Sequence, residues 1–270
     1  MALTPEAGGG CDESSTPSPP SQSARPVNSD VEWDSFDPLA YVRHNYAVLR
    51  ADDREILRRT RDFFAEAKLS DAHCVDVGSG ANLYPALALL PFARTIDLCD
   101  WSASNVSWLR TQVDSYDELW DPYWQVCAEH PAYSTLTDPR GRLARVGRVM
   151  RTSVFDVPRH AWDAGTMFFV ACSISADRAE AEHAIGRFLD ALRPSSPFAV
   201  AVMLDSRGYS VGQRVFPAVA LQRAEVVASI AAGAYDLDVH EVRLTPTLRD
   251  GYLSMLLTTG RSRGGAGPYA

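Results

Sequence analysis

Lysine is nearly absent from this chain. Lys68 is the only one among 26 basic residues, the rest being arginine. Nowhere do those cations gather into a basic run, and the net charge is −8 with a pI near 5.2. Nucleic-acid binding depends on clustered Lys and Arg neutralising phosphates, so DNA and RNA are not expected partners. No run of about 18 or more apolar residues exists, which argues against a membrane-spanning helix. The five cysteines (Cys11, Cys74, Cys99, Cys127 and Cys172) are odd in number and lack CxxC or Cys/His ligand spacing. Three of them lie in or beside apolar strand-like runs and read as small core residues, at home in a reducing cytoplasm. The six histidines (44, 73, 130, 160, 183 and 240) are scattered without metal-ligand spacing, so no metal is expected. Also missing are the G-x-S-x-G elbow of hydrolases and the basic start of a secretory leader.

What is present is enough for one substantial α/β domain. The chain has 270 residues, 46% of them hydrophobic. Residues 1–30 are rich in Gly, Ser and Pro and read as a disordered tail, and 263–270 as a second flexible tail. Between them, residues 31–262 form a single domain. Asp37-Pro38 caps a helix from Leu39 to Leu49, and Asp52 opens a second helix to about Lys68. Strand-like runs then alternate with helical ones: His73–Val77, Thr95–Cys99, Gly147–Val154, Thr166–Cys172 and Pro197–Leu204. Two closing strands follow, Asp236–Leu244 and Tyr252–Thr259. Such alternation implies a mostly parallel, doubly wound sheet with helices on both faces. Residues 115–147 interrupt it with Tyr116, Trp120, Tyr123 and Trp124, as ordinary packing or as a pocket wall. Arg58, Arg59 and Arg61 alternate with acids and read as a solvated helix face.

The chemistry is announced by Val75-Asp76-Val77-Gly78-Ser79-Gly80. A buried strand breaks there into a glycine turn that allows positive φ and close approach of a ligand. About twenty residues later a second strand ends at Asp100, where an acid can accept both hydroxyls of a ribose. Together they indicate a nucleoside-bearing cofactor. A dinucleotide site wants G-x-G-x-x-G, and in Gly78-Ser79-Gly80-Ala81-Asn82-Leu83 the third glycine is missing. Asp76-Val77-Gly78-Ser79-Gly80 and the closing strand pair instead resemble the first motif and the antiparallel end of S-adenosylmethionine (SAM) methyltransferases, with a nicotinamide-dependent oxidoreductase as the alternative from another class.

Flanking residues make the reading more specific. Phe36-Asp37-Pro38-Leu39-Ala40-Tyr41-Val42-Arg43-His44-Asn45-Tyr46 resembles the N-terminal cofactor lid of the family of nicotinamide, phenylethanolamine and thioether methyltransferases. Gly78-Ser79-Gly80 with Tyr84 is similar to that family's first motif, and Asp100-Trp101-Ser102-Ala103-Ser104-Asn105 to its second. Ser206-Arg207-Gly208-Tyr209 through Phe216 resembles its substrate-side hairpin. The likeness runs in order over roughly residues 36–260. It implies a class I methyltransferase fold: a Rossmann-like sheet with a C-terminal antiparallel hairpin, a helical lid over 31–70 and an insertion over 115–147.

Carried over, the resemblance puts Tyr41, Tyr46, Gly78 and Tyr84 at the methionine end of SAM, with Ser79 and Gly80 in the same turn. Asp100 takes the ribose hydroxyls, with Trp101 beside it, and Asn105 helps hold the nucleoside. Ser153-Val154 stand by the adenine where the family usually has an acid before the valine. Ser153 accepts one hydrogen bond without formal charge, or Asp156 substitutes. The implied acceptor site is Asp205, Ser206 and Tyr209 within Val202–Ala218. Val202 and Ala218 there replace groups that would hold an amide, which favours a more apolar acceptor. Tyr41, Tyr209 and His44 are the residues expected nearest the chemistry, with His44 as a general base or as plain lid surface. The implied activity is N-methylation of a small molecule of specialised metabolism, with O- or C-methylation as alternatives.

Overall fold

The computed structural model describes residues 26–243 and 254–265. Thirteen elements carry the main frame. The strands are β1 (Ala72–Val77), β2 (Ala93–Asp100), β3 (Gly147–Arg151), β4 (Ala164–Phe168) and β5 (Pro197–Met203), then β8 (Ala234–Arg243) and β9 (Ser254–Ser262). The helices are α1 (Pro38–Asn45), α2 (Ala51–Glu66), α3 (Tyr84–Leu89), α4 (Ala103–Asp114), α8 (Arg178–Ala191) and α9 (Arg223–Gly233). The sheet runs β3-β2-β1-β4-β5-β9-β8. Its first five strands are parallel, and β9 joins β5 and β8 antiparallel. The class I methyltransferase topology expected from the sequence is therefore the one observed.

Burial explains the sequence pattern. β4 and β5 are buried at every residue, as strands covered on both faces must be. Edge strand β8 instead alternates between covered and exposed positions. Order reverses between β1 and β4: the chain leaves β1 toward β2 and β3, then returns to the other side. Such a switch point opens a crevice at the strand ends, where open α/β sheets bind ligands.

Helix ends follow local chemistry. The Asp37 carboxylate accepts the Ala40 N–H at 3.0 Å and Pro38 fills the first turn of α1. Ser102 caps α4 by accepting the Asn105 N–H at 3.3 Å. On α2, Ile56, Leu57, Thr60 and Phe64 form the buried face. Arg58 and Arg59 bind Glu55 on the outer face, as expected. Arg61 does not join them. It is buried and donates to the Val126 carbonyl, tying α2 to the insertion.

That insertion supplies α5 (Asp121–Ala128), α6 (Pro131–Ser134) and α7 (Pro139–Val146). Trp120 and Tyr123 are fully buried within it, which decides for packing over a pocket wall. Cys74, Cys99, Cys127 and Cys172 are buried, and Cys11 lies outside the described residues. Three boundaries move. Residues 26–30 belong to the domain: the Pro26 carbonyl accepts the Ala176 N–H at 3.0 Å, and the Asn28 N–H donates to Glu180 at 2.8 Å. The first strand after the insertion ends at Arg151 and β4 ends at Phe168, because Phe169 takes a φ of +61° and leaves the ladder.

Candidate active site

A cleft opens at the switch point. Gly78, Ser79, Gly80, Ala81 and Asn82 form its floor, and Asp100, Trp101, Ser102 and Asn105 form one side. Thr152, Ser153 and Val154 extend that side, while Phe168, Phe169, Val170, Ser173 and Ile174 form the other. The N-terminal segment crosses above through Asn28, Trp33, Phe36, Tyr41 and Tyr46, and Tyr209 closes the far end.

The turn needs its glycines. Gly78 has a φ of +68°, and an added Cβ would stand 2.4 Å from Val170 Cγ2. Gly80 has a φ of +57°, and a Cβ there would project into the cleft beside the Asp100 carboxylate at 3.9 Å. Asp100 is held rigidly. Oδ2 accepts the Gly80 N–H at 2.8 Å, while Oδ1 accepts the Ser102 N–H at 2.8 Å and the Asn105 amide at 3.2 Å. Burial raises its pKa despite these bonds. Asp76, below the turn, accepts the Thr166 hydroxyl at 2.7 Å, and burial pushes its pKa up to about 7.

Two polar atoms on the cleft wall are buried and unpartnered: Asn105 Oδ1 and Asn82 Nδ2. Orphaned buried groups are rare and costly. One is an acceptor beside Asp100, and the other is a donor at the opposite end of the turn. A ligand with sugar hydroxyls at one end and a carboxylate at the other satisfies both, so the donor set fits SAM.

The lid is fastened at its edge. Asp34 accepts the Ala103 N–H at 2.7 Å and pairs with Arg151 at 3.0 Å. The same guanidinium donates to the Trp101 carbonyl at 3.1 Å and lies 5.4 Å from the Trp101 ring centroid. At the far end the rings form a continuous enclosure. Tyr41 meets Tyr46 edge-on at 5.9 Å and Tyr209 at 6.4 Å. Phe36 lies 5.2 Å from Tyr41 and 5.1 Å from Phe216, a residue of the short hairpin formed by β6 (Tyr209–Val211) and β7 (Arg214–Phe216). Phe216 in turn stacks on Trp33 and Tyr209, at 5.6 Å from each.

Of the residues singled out from the sequence, Tyr41, Tyr46, Gly78, Ser79, Gly80, Asp100, Trp101, Asn105, Ser153, Val154 and Tyr209 meet at this cleft. Tyr84 does not line it. Its ring is fully buried one layer behind, edge-on to Tyr46 at 6.0 Å. His44 is exposed on α1, outside the cleft lining. Ser206 is buried away from the cleft, and Asp205 bonds Gln222 instead. Asp156 is exposed and absent from the wall, so Ser153 and its neighbour Thr152 are the polar side chains at that point. The Ser153 Oγ already accepts the Phe155 N–H at 3.2 Å. Val202 is sealed within β5, and Ala218 faces a second cavity bounded by Val31, Arg207 and Phe216.

Sequence reasoning placed Phe36 only at the start of the lid run and passed over Asn82, Trp33 and Asn28. Asn82 was legible, since it stands two residues after Gly80 in a turn already assigned to a ligand. Trp33 and Asn28 carried no local signal, and only the tertiary course of the N-terminal segment brings them over the cleft.

Comparison with known proteins agrees with this geometry. The model of the NNMT/PNMT/TEMT family matches residues 27–254. Phenylethanolamine N-methyltransferase of Mus musculus is 27% identical over 246 residues, 83% of this chain and 82% of that protein. Nicotinamide N-methyltransferase of Sus scrofa is 22% identical over 239 residues, covering 80% and 88%. Among solved structures, magnesium protoporphyrin IX methyltransferase from Synechocystis PCC 6803 with bound SAM has a TM-score of 0.53 at 13% identity, covering 84% of this chain and 93% of that one. The [4+2]-cyclase SpnF aligns with a TM-score of 0.52 at 17% identity, covering 84% and 92%. A cyclase on the same frame shows that fold alone does not fix the reaction. The family match does more: this chain belongs to the NNMT/PNMT/TEMT family and is a SAM-dependent methyltransferase.

Proposed function

We propose that this member of the family methylates a nitrogen of a small, neutral, largely apolar acceptor bound inside the aromatic enclosure. One observation carries the reading. The Tyr41 ring touches both Tyr46 over the turn and Tyr209 at the far end, so a single side chain borders donor and acceptor rooms.

SAM supplies a methyl group already activated on a sulfonium. Asp100 and Asn105 hold the sugar, the N–H groups of Gly80 and Ser102 keep the Asp100 carboxylate aimed, and Asn82 donates at the methionine end. The faces of Tyr41 and Tyr46 offset positive charge without offering a competing nucleophile. Holding the acceptor nitrogen in line with the methyl is then most of the task, and orientation of this kind contributes several orders of magnitude.

Asp100 is the only charged side chain on the described cleft wall, and it stands at the sugar end. No described lining residue serves as a base at the acceptor end, so the nitrogen arrives with its lone pair free. The acceptor end is walled mainly by the rings of Trp33, Phe36, Tyr41 and Tyr209, which disfavours nicotinamide: its amide would be buried unpaired at about 1–3 kcal/mol per group. The test has two parts. SAM and S-adenosylhomocysteine, but not NADH, raise the melting temperature. Methylation is then assayed with nicotinamide, phenylethanolamine and apolar aromatic amines, the last expected to be preferred. Stabilisation by NADH alone refutes the cofactor, and efficient nicotinamide turnover refutes the acceptor class.

A further inference from the structure

Behind the methionine end of the cleft lies a carboxylate that neither the turn nor the acceptor enclosure uses. Asp53, in the first turn of α2, is 1% exposed. Its side chain accepts the Tyr84 hydroxyl at 3.3 Å. Tyr84 stacks on Tyr123 at 5.6 Å and meets Tyr46 edge-on at 6.0 Å, and Tyr46 borders the cleft. Asp53 is thus separated from the cleft by one layer of tyrosine rings.

The groups around it are unlike those of a structural ion pair. Asp52 stands beside it on α2 and is paired with Arg50 at 3.3 Å. Tyr84 faces it from α3, Tyr123 from α5, and Tyr46 from the end of α1. The Tyr84 hydroxyl bonds it, Asp52 stands beside it as a second acid, and the Arg50 guanidinium, paired with Asp52, acts on it from farther off. Burial, and then the Asp52 charge, push its carboxyl up to about 7. An acid buried without a bonded cation is destabilising when ionised. A positive charge placed in the neighbouring cleft completes the arrangement.

We propose that Asp53 is the buried counter-charge of the cofactor's sulfonium and favours the donor over its demethylated product. The inference rests on reading the cleft as the SAM site. Donor and product differ by a methyl group, and with it the donor sulfur carries a fixed positive charge where the product sulfur carries none. An ionised Asp53 acts on that difference across the tyrosine layer, where the low dielectric preserves the interaction. It touches neither ligand and is a positioning residue.

The sign follows from linkage. Binding a cation lowers the Asp53 pKa, so the donor releases a fraction of a proton on binding and the product releases less. Preference for the donor therefore grows as pH rises through about 7 and fades below it. A displacement of one pKa unit corresponds to about a tenfold change in the ratio of dissociation constants.

The experiment is titration calorimetry of the full chain with SAM and S-adenosylhomocysteine, at about pH 6 and about pH 8. The product-to-donor ratio of dissociation constants is expected to rise roughly five- to tenfold between them. In Asp53→Asn both ligands bind and that rise is lost, although burial also raises the carboxyls of Asp76 and Asp100 near the turn. An equal rise in the variant overturns the proposal. Repeating the wild-type titration in buffers of different ionisation enthalpy decides without a variant: equal proton release with both ligands also overturns it. Binding of neither ligand at either pH overturns the reading of the cleft, and the proposal with it.

Discussion

Replacing Asp100 with Asn tests the site most sharply, because the change is isosteric and its cost can be worked from the hydrogen bonds. The carboxylate accepts from Gly80 N–H on one oxygen, and from Ser102 N–H and the Asn105 amide on the other. Asn has one acceptor oxygen. Whichever way the amide turns, its NH2 faces at least one donor that had been satisfied. A buried donor left without a partner costs about 1–3 kcal/mol, before any cofactor is considered. For a domain of this size that is a fall of roughly 2–10 °C in melting temperature. The cofactor loses more. Its ribose hydroxyls exchange a charged acceptor for a neutral one, and a hydrogen bond to a charged group is worth about 1.5–3 kcal/mol. S-adenosylhomocysteine should therefore bind roughly ten- to a hundredfold more weakly, as read by calorimetry alongside differential scanning fluorimetry of the apo-protein. Wild-type stability together with wild-type affinity in Asp100→Asn would refute the assignment of this acid.

Other substitutions probe the lid, the acceptor room and the buried acids. Arg151→Met breaks the exposed pair with Asp34, and should speed S-adenosylhomocysteine release about two- to fivefold while abolishing its salt dependence. Stopped-flow displacement measures this, and an unchanged rate argues against the fastening. Deleting residues 1–25 should leave turnover intact, whereas deleting 1–36 removes Trp33 and Phe36 from over the cleft and should abolish it; full activity of the longer deletion refutes the lid. Tyr209→Ala should raise the acceptor KM about tenfold or more by removing a stacked wall, while Tyr209→Phe changes it little, because the lost hydroxyl bond to the Ser173 carbonyl is 3.4 Å long. Asp53 and Asp76 both have folded-state pKa values raised to about 7, so between about pH 4 and 7 the folded protein holds protons that the unfolded chain has lost. Apo stability should accordingly fall as pH rises through that window, and Asp53→Asn should flatten the fall in a series of thermal melts.

Much of the frame was legible because its signals are local. The apolar runs of β1 and β5, the glycine turn, and the Asp37 and Ser102 caps each declare themselves within a few residues. Asp100 was legible for the same reason, since it ends the strand after that turn. Tyr84 shows where this reasoning stops. Its spacing from Gly78 matches a motif, yet whether its hydroxyl reaches the cleft depends on Asp53, which lies 31 positions away. Arg61 reads as one more arginine of a charged face, and only the docking of α5 buries it. Residues 26–30 have a tail-like composition, but contacts with Ala176 and Glu180 order them. In each case the deciding neighbour is distant in sequence.

Phe216 belongs to two rooms at once. One face of its surroundings is the aromatic enclosure, where it stacks on Trp33 and Tyr209, and the other is the cavity holding Arg207, Ala218 and Val31. A single ring on a three-residue strand thus stands between the aromatic enclosure and the second cavity. Trimming it would join the two spaces without touching the Gly78–Gly80 turn. On such a plan, the size of molecule accepted can drift through changes at one hairpin position while the transfer chemistry stays under separate control.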